Sequence, residues 1–298
     1  MPYPNWTADD LNDQTGRRIV ITGGNSGVGL AAAHYLSAAG AQVVIAVRDL
    51  AKGRQVAAEI GGETEVRQLD LADLDSVRAF AAETTEPIDI LINNAGVMAI
   101  PLGRTAQGFE TQFGVNHLGH FALTNLLLPM ITDRVVSLSS GAHRAGHINL
   151  DDLNWQRRRY HRWPAYGQSK LANLLFILEL ERRLTAAGSP LRALAAHPGY
   201  SATNLQSHSG NRVVDRLMAV GNRFFAQSQE MGALPTVYAA SQDLPGGSYV
   251  GPNARRETQG YPTLVGRTAE ASDPKLAEKL WIASEELTGV TFPALTLS

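Results

Sequence analysis

Tyr166-Gly167-Gln168-Ser169-Lys170 places a phenol and an ammonium four residues apart, at the start of the apolar helical run LANLLFILELERRL. Residues so spaced share one helical face. A nearby ammonium favours the phenolate by Coulomb attraction, so a tyrosine with an ordinary pKa of about 10 becomes a usable acid/base nearer neutral pH. Such pairs also arise by chance on many helices, so this one acquires meaning only from its surroundings. The chain contains no cysteine. Disulfides, thiolate zinc sites, iron–sulfur clusters and a thiol nucleophile are therefore excluded, and any chemistry uses oxygen, nitrogen or a cofactor.

A second constellation is Thr22-Gly23-Gly24-Asn25-Ser26-Gly27-Val28-Gly29, between the β-branched run RIVIT and the helical run LAAAHYLSAAG. Glycines without Cβ atoms let the backbone approach a pyrophosphate, and the first amides of the following helix favour its charge. Gly23, Asn25, Ser26, Gly27, Val28 and Gly29 are thus candidate cofactor contacts. The spacing is G-x-x-x-G-x-G, not the usual G-x-G-x-x-G, and a tight turn without a ligand is the plain alternative. Arg48 follows the second strand, where an acidic residue would bond the ribose 2′-OH of NAD and an arginine accommodates the extra phosphate of NADP. It favours NADP(H), with NAD(H) possible; the competing reading is a solvated Arg48 paired with Asp49. Asp70, with Leu71 beside it, closes the third strand. Its carboxylate suits the adenine amino group, or belongs to a helix cap near Asp73.

These groups need a scaffold. Strands are expected at Arg18 to Thr22, Gln42 to Val47, Glu65 to Leu69, Ile88 to Asn93, Arg134 to Ser139 and Leu191 to His197, with a seventh at Ser248 to Val250. Helical patterns fall near 28 to 39, 50 to 60, 73 to 84, 107 to 131 and 165 to 187, with Gly40 and Gly188 where C-caps belong. Alternating strands and helices predict an α/β fold, a doubly wound parallel sheet of about seven strands with helices on both faces. No linker or repeat interrupts 298 residues, so a single Rossmann-type domain is the simpler account. Segments 141–164 and 200–230 break the alternation, and such irregular segments commonly set substrate specificity. A net charge of −2 and pI ≈ 6.4 lack the basic surface that nucleic acid requires. No apolar run approaches the roughly 20 residues of a membrane span, and the polar, acidic start lacks a signal-peptide pattern, so the expected location is cytoplasmic.

Thr22-Gly-x-x-x-Gly-x-Gly29, Asn93-Asn-Ala-Gly96, Asn116, Ser139-Ser140, Tyr166-x-x-x-Lys170 and Pro198-Gly199 occur in one order, at the predicted strand ends. Together they resemble the classical short-chain dehydrogenase/reductase family over roughly residues 15 to 205. The resemblance implies that Tyr166 is the acid/base and that Lys170 lowers its pKa and holds the nicotinamide ribose. Ser140 would bond the carbonyl or alcohol oxygen, and Asn116 would hold a water relaying protons from Lys170. Asn93, Ala95 and Gly96 would line the cofactor, and Pro198, Gly199 and Thr203 would embrace the nicotinamide. Ser26 replaces the basic residue that many NADP-preferring members carry in the turn, leaving selectivity on Arg48. The Ser140 to Tyr166 separation is also longer than usual. With Arg48-Asp-Leu-Ala-Lys52 and Ser140-x-Ala-His143, that insert is most similar to the retinol-dehydrogenase-like and WW-domain-oxidoreductase-like branch. A homo-oligomer, dimer or tetramer, is implied through the helices near 107 to 131 and 165 to 187, whose apolar faces read equally as core.

His143, His147 and His161 have no helical H-x-x-x-H spacing and no thiol beside them, so no metal is expected. Arg157-Arg158-Arg159 with Arg162 reads as a solvated face balanced by Asp151 and Asp152 more readily than as an anion site. Trp155 and Trp163 suit either a substrate wall or packing of the insert. Val213, Leu217, Val220 and Phe224 recur at helical spacing, with Met218 and Phe225 beside them, which suits a lid over a hydrophobic alcohol or carbonyl substrate or an ordinary core stripe. The function expected is NADP(H)-preferring hydride transfer on an alcohol/carbonyl pair. The rivals are a non-enzymatic NAD(P)-binding regulator, which usually lacks the Tyr/Lys pair, and a sugar-nucleotide epimerase or dehydratase, whose Thr-Gly-x-x-Gly-x-x-Gly spacing does not match.

Overall fold

Strands β1 (Arg18–Thr22), β2 (Gln42–Val47), β3 (Thr64–Gln68), β4 (Ile88–Asn93), β5 (Ile131–Leu138), β6 (Arg192–Ala196), β7 (Tyr249–Ala254) and β8 (Gln259–Leu264) form one sheet. Its order is β3-β2-β1-β4-β5-β6-β7-β8, and every pairing is parallel except the antiparallel β7/β8 hairpin. The computed structural model describes residues 5–199 and 227–295. Thr203, the apolar stripe from Val213 to Phe225 and nearly all of the proposed lid lie outside the described residues.

The order reverses between β1 and β4, which opens a crevice beyond their carboxyl ends, where ligands of doubly wound sheets bind. The central strands β1, β2, β4, β5 and β6 are largely apolar because both faces are covered. Val20, Val44, Leu91, Val135 and Ala193 point to one side, and Ile19, Ile21, Val43, Ile45, Ile90, Ile92, Val136 and Leu194 to the other, following the two-residue pleat. The second side is packed by α1 (Gly27–Ala38), α2 (Leu50–Ile60) and a proline-containing helix, Gln229–Ser241. The first side carries α3 (Leu74–Ala82), α4 over 111–127, α5 (Arg162–Ala186) and a helix at Pro274–Thr288. Numbered in chain order, the last two helices of the chain are α6 (Gln229–Ser241) and α7 (Pro274–Thr288).

The eighth strand exceeds the expected seven. QGYPTL contains glycine and proline and no apolar alternation, so it forms a strand by pairing with β7 at the sheet edge, where proline is tolerated. The helix expected from 107 begins at Thr111 and contains a π-helical turn, Gly114–Leu118, around Asn116. The helix expected from 165 begins at Arg162.

Helices α4 and α5 are buried nearly all round within this one chain. Helix α7 covers them: Trp281 stacks on Phe176 at 5.7 Å between ring centroids and meets Phe121 edge-on at 4.8 Å. Ser284 bonds His117 Nε2 at 2.9 Å. The two faces through which the resemblance implied assembly are therefore packed within this chain. Among the described residues no helix is long and apolar enough to cross a membrane.

Candidate active site

The glycine turn leaves β1 with Gly23 at φ +66° and Gly27 at φ +59°, a left-handed conformation costly for other residues. A Cβ on Gly29 would collide with the Asn94 amide and lie 2.8 Å from Gly23 O, so glycine there lets α1 start against the end of β4. Ser26 occupies the N-cap position of α1 without a side-chain capping bond, and Val28 and Gly29 follow in its first turn. Its leading amides thus suit an external anion. Arg48 is exposed at the end of β2, and among the described residues its guanidinium makes no hydrogen bond or ion pair. Asp49 instead accepts from Lys52 N at 3.0 Å, capping α2. An extended dinucleotide phosphate fits this combination of bare helix terminus and unpaired cation. Asp70 Oδ1 accepts from Ala72 N at 2.9 Å, and Asp73, not Asp70, caps α3. Leu71 is buried beside Gly119 of α4.

Thr22 is the joint between this turn and β4. Its hydroxyl oxygen accepts from the backbone N–H groups of Asn94 and Ala95, each at 2.9 Å, and pairs with His120 Nε2 at 2.9 Å. His120 Nδ1 lies 3.0 Å from the Asn116 carbonyl, which can only accept, so Nδ1 carries the proton and Nε2 receives the threonine's. Burial holds the imidazole neutral, its pKa lowered to about 4.

The side chains of the two asparagines after β4 divide their work. Asn93 continues the pleat of Leu91, so its side chain turns into the core and donates to Thr124 Oγ1 at 2.8 Å. Asn94 faces the glycine turn, donating to Thr22 O at 2.8 Å. Asn116 is likewise fully engaged: its Oδ1 accepts from Val97 N at 2.8 Å, and its Nδ2 donates to Val97 O and Ser169 Oγ, each at 2.9 Å. The side chain therefore pins the β4–α4 loop to α5, while the Asn116 backbone carbonyl takes the bond from His120.

Tyr166 and Lys170 lie on the buried face of α5, with Nζ 5.8 Å from the ring centroid. Lys170 Nζ donates to Leu138 O at 3.0 Å, the last residue of β5. Burial lowers the lysine pKa to about 8 and pushes the phenol up to about 12, opposed by a hydrogen bond from Ser140. Desolvation thus holds the phenol above its ordinary range in this state, with Ser140 opposing it. Ser140, at the end of β5, accepts from Ala142 N at 3.2 Å, which fixes the side chain facing Tyr166. Ser139 turns away and donates to Lys170 O at 2.9 Å. Gly96 lies against the pair: a Cβ there would be 3.5 Å from Lys170 Nζ and 3.1 Å from Asn116 Oδ1. Pro198 and Gly199, the latter at φ +67°, follow β6 on the same edge, and Gln227 Nε2 donates to Pro198 O at 2.6 Å.

The insert is packed, not loose. Trp155 is buried under the Arg158 guanidinium, 3.6 Å above its ring, and Asp152 accepts from the amides of Gln156, Arg157 and Arg158. Trp155 thus belongs to the insert's own packing. Trp163 is 47% exposed and stands edge-on to Tyr166 at 6.3 Å, an apolar wall beside the phenol. His147 pairs with Glu270 at 3.0 Å, and His161 immediately precedes α5.

Asn94 and His120 carried no role in the sequence reading. The signals were present: adjacent residues at a strand end face opposite ways, and His120 stands four residues after Asn116 on one helical face.

A glycine turn at the sheet's switch point, with Ser, Tyr and Lys converging at the ends of β5 and α5, defines a nicotinamide-dependent oxidoreductase of the Rossmann type. The chain belongs to the short-chain dehydrogenase family, whose pattern matches residues 17–214. It is an NAD(P)-dependent dehydrogenase acting on CH–OH/C=O groups, on the retinol-dehydrogenase-like branch. Retinol dehydrogenase 13 from Homo sapiens is 42% identical, over 94% of this chain and 87% of the relative. A crystal structure of an uncharacterised protein from Mycobacterium paratuberculosis shares 55% identity with a TM-score of 0.86, covering 97% of this chain and 99% of that one. A protein described as an NAD(P)-dependent gluconate 5-dehydrogenase from Beutenbergia cavernae, solved with NADP bound, has a TM-score of 0.57 at 27% identity, over 77% of this chain and 91% of that one.

Proposed function

We propose that this chain is an NADP(H)-preferring oxidoreductase that moves hydride between the nicotinamide and the alcohol/carbonyl carbon of an apolar substrate. The observation that carries the reading is Tyr166, buried, hydrogen-bonded by Ser140 and one helical turn from the buried Lys170. The cofactor supplies or accepts the hydride. In reduction Tyr166 gives its proton to the substrate oxygen; in oxidation it takes the alcohol proton. Ser140 donates to the same oxygen, polarising the carbonyl.

A phenol held near 12 is protonated at neutral pH, the form that serves carbonyl reduction. The reverse direction uses the pull of the Lys170 ammonium on the developing phenolate. Preference for NADP(H) is supported by the exposed, unpaired Arg48 and by the engagement of Asp49 as a cap. An apolar substrate is supported by Trp163 beside the phenol and by the relatives' name, retinol dehydrogenase.

The test is turnover of a panel of apolar primary and secondary alcohols and their carbonyl partners with NADP(H) and with NAD(H), followed by nicotinamide absorbance. Turnover favouring NADP(H) is expected. Tight nucleotide binding with no turnover of any pair would instead favour the non-enzymatic regulator.

A further inference from the structure

Beside the site, on the β7–β8 side, lies a group of buried polar side chains that the reaction as proposed does not use. His143 and His197 are each 1% exposed and Tyr249 is 2% exposed. The Tyr249 ring stands edge-on to His143 at 5.7 Å and tilted against His197 at 5.1 Å. His143 Nε2, His197 Nε2 and the Tyr249 hydroxyl all lack a full hydrogen-bond partner in the protein, although the hydroxyl lies near Ser139 Oγ. Three such atoms on rings packed against one another are costly to bury unless a shared water satisfies them.

The tautomers follow from their partners. His143 Nδ1 is 2.7 Å from the Ser140 carbonyl, which can only accept, so Nδ1 carries the proton and Nε2 is an acceptor. The His143 backbone N–H also donates to that carbonyl, at 3.0 Å. One residue thus supplies both hydrogen bonds to the serine's carbonyl. His197 Nδ1 accepts from Gly199 N at 3.2 Å, so its Nε2 carries a proton and points toward Glu257 at 3.6 Å. Glu257 is held by Arg144 at 2.9 Å and lies in the β7–β8 turn, where Arg255, Arg256 and Glu257 all adopt positive φ. Three consecutive non-glycine residues in that region are strained and persist only where surrounding contacts impose them.

We propose that His143 is a positioning residue for Ser140: its ring clamps the serine carbonyl through Nδ1–H, and the Tyr249 hydroxyl, through a shared water that donates to Nε2, holds the ring in place. The inference rests on the oxidoreductase reading, in which Ser140 bonds the substrate oxygen. The serine hydroxyl must meet that oxygen and Tyr166 together, and a carbonyl held by two bonds fixes the backbone from which it projects.

The test compares His143→Leu, His143→Asn and His143→Gln in the full chain, with kcat, KM and nucleotide Kd measured on the pair the wild type turns over. His143→Leu should lower kcat by about tenfold to 100-fold, the cost of a small misplacement of a reacting group, while nucleotide Kd stays within about twofold. The Asn amide nitrogen occupies the place of Nδ1, so His143→Asn should recover most of kcat. Gln reaches the place of Nε2 instead and should not. Wild-type kcat in His143→Leu, or equal kcat in the Asn and Gln variants, overturns the proposal. Should His143→Leu fail to fold, the Asn/Gln comparison decides alone. A wild-type chain without turnover defeats the oxidoreductase reading and this inference with it, whereas wild-type turnover with an indifferent His143 defeats only the inference.

Discussion

The nucleotide side of the crevice and its catalytic side are built on opposite principles. Around β1, α1 and β2 the work falls to backbone amides, glycines without side chains and one exposed guanidinium on Arg48. Around β5 and α5 it falls to buried side chains, each held by a backbone carbonyl or a neighbouring hydroxyl: Lys170 by Leu138 O, Ser139 by Lys170 O, His143 by Ser140 O. A diphosphate is large, charged and satisfied by any converging set of amides, so position matters more than side-chain identity. Proton transfer needs one atom at one place and one pKa, so the groups that perform it are desolvated and fixed.

The comparison predicts that the two sides fail differently. The largest effect belongs to the catalytic side: Tyr166→Phe should cut turnover by roughly 100-fold to 10,000-fold, the usual worth of a positioned acid/base, with nucleotide affinity retained. Steady-state kinetics alongside a binding titration checks this, and a Phe variant that keeps its rate would remove Tyr166 from the mechanism. Next is Gly96→Val, at the boundary between the sides. Its added carbons press on Lys170 Nζ and Asn116 Oδ1, and kcat should fall by about 100-fold through displacement of the lysine. Equal losses in kcat and in nucleotide binding would show that the two sides are not separable at this loop.

On the nucleotide side, Arg48→Asp should change selectivity and not chemistry. Loss of a charge-assisted bond to phosphate, worth about 1.5 to 3 kcal/mol, should weaken NADP(H) binding roughly tenfold to 100-fold relative to NAD(H), with kcat little altered. An unchanged affinity ratio would place the selectivity elsewhere.

The smallest effect is on stability and sits behind the catalytic side. His117, His120 and His197 are buried, with pKa values lowered from 6.5 to about 3, 4 and 3. Below pH 6.5 the unfolded chain takes up these protons and the native chain does not, so their contribution is complete above pH 6.5 and is lost progressively as pH falls from there toward the native values of about 3 to 4. Thermal unfolding followed from pH 7.5 to pH 5 should show the melting temperature dropping across the lower part of that range, above the ordinary carboxylate pKa values of about 4. A flat profile would mean that these rings protonate without unfolding.

Seven strands were legible, six from β-branched runs at regular intervals and the start of β7 from Ser248 to Val250, and the site was legible because its motifs are local: a strand end, a turn, a helix start. The opposite side-chain directions of Asn93 and Asn94 were not legible from the motif, because it names both neighbours while the pleat sends the Asn93 side chain to Thr124 and the Asn94 side chain to the glycine turn. β8 was invisible because its sequence has no pattern of its own and exists through pairing with β7. Helix α7 was equally hidden in its role, since Ser284 meets His117 across 167 residues of chain.

What the sequence alone determined is therefore the order of the elements, the phosphate turn and the Tyr166/Lys170 pair, all set by backbone propensity and spacing within a few residues. The tertiary structure alone decided which side chains face the crevice, that the faces of α4 and α5 are closed by the chain's own last helix, and that burial raises the Tyr166 pKa against the hydrogen bond from Ser140. Those outcomes depend on burial, and burial is a property of contacts between residues far apart in the chain.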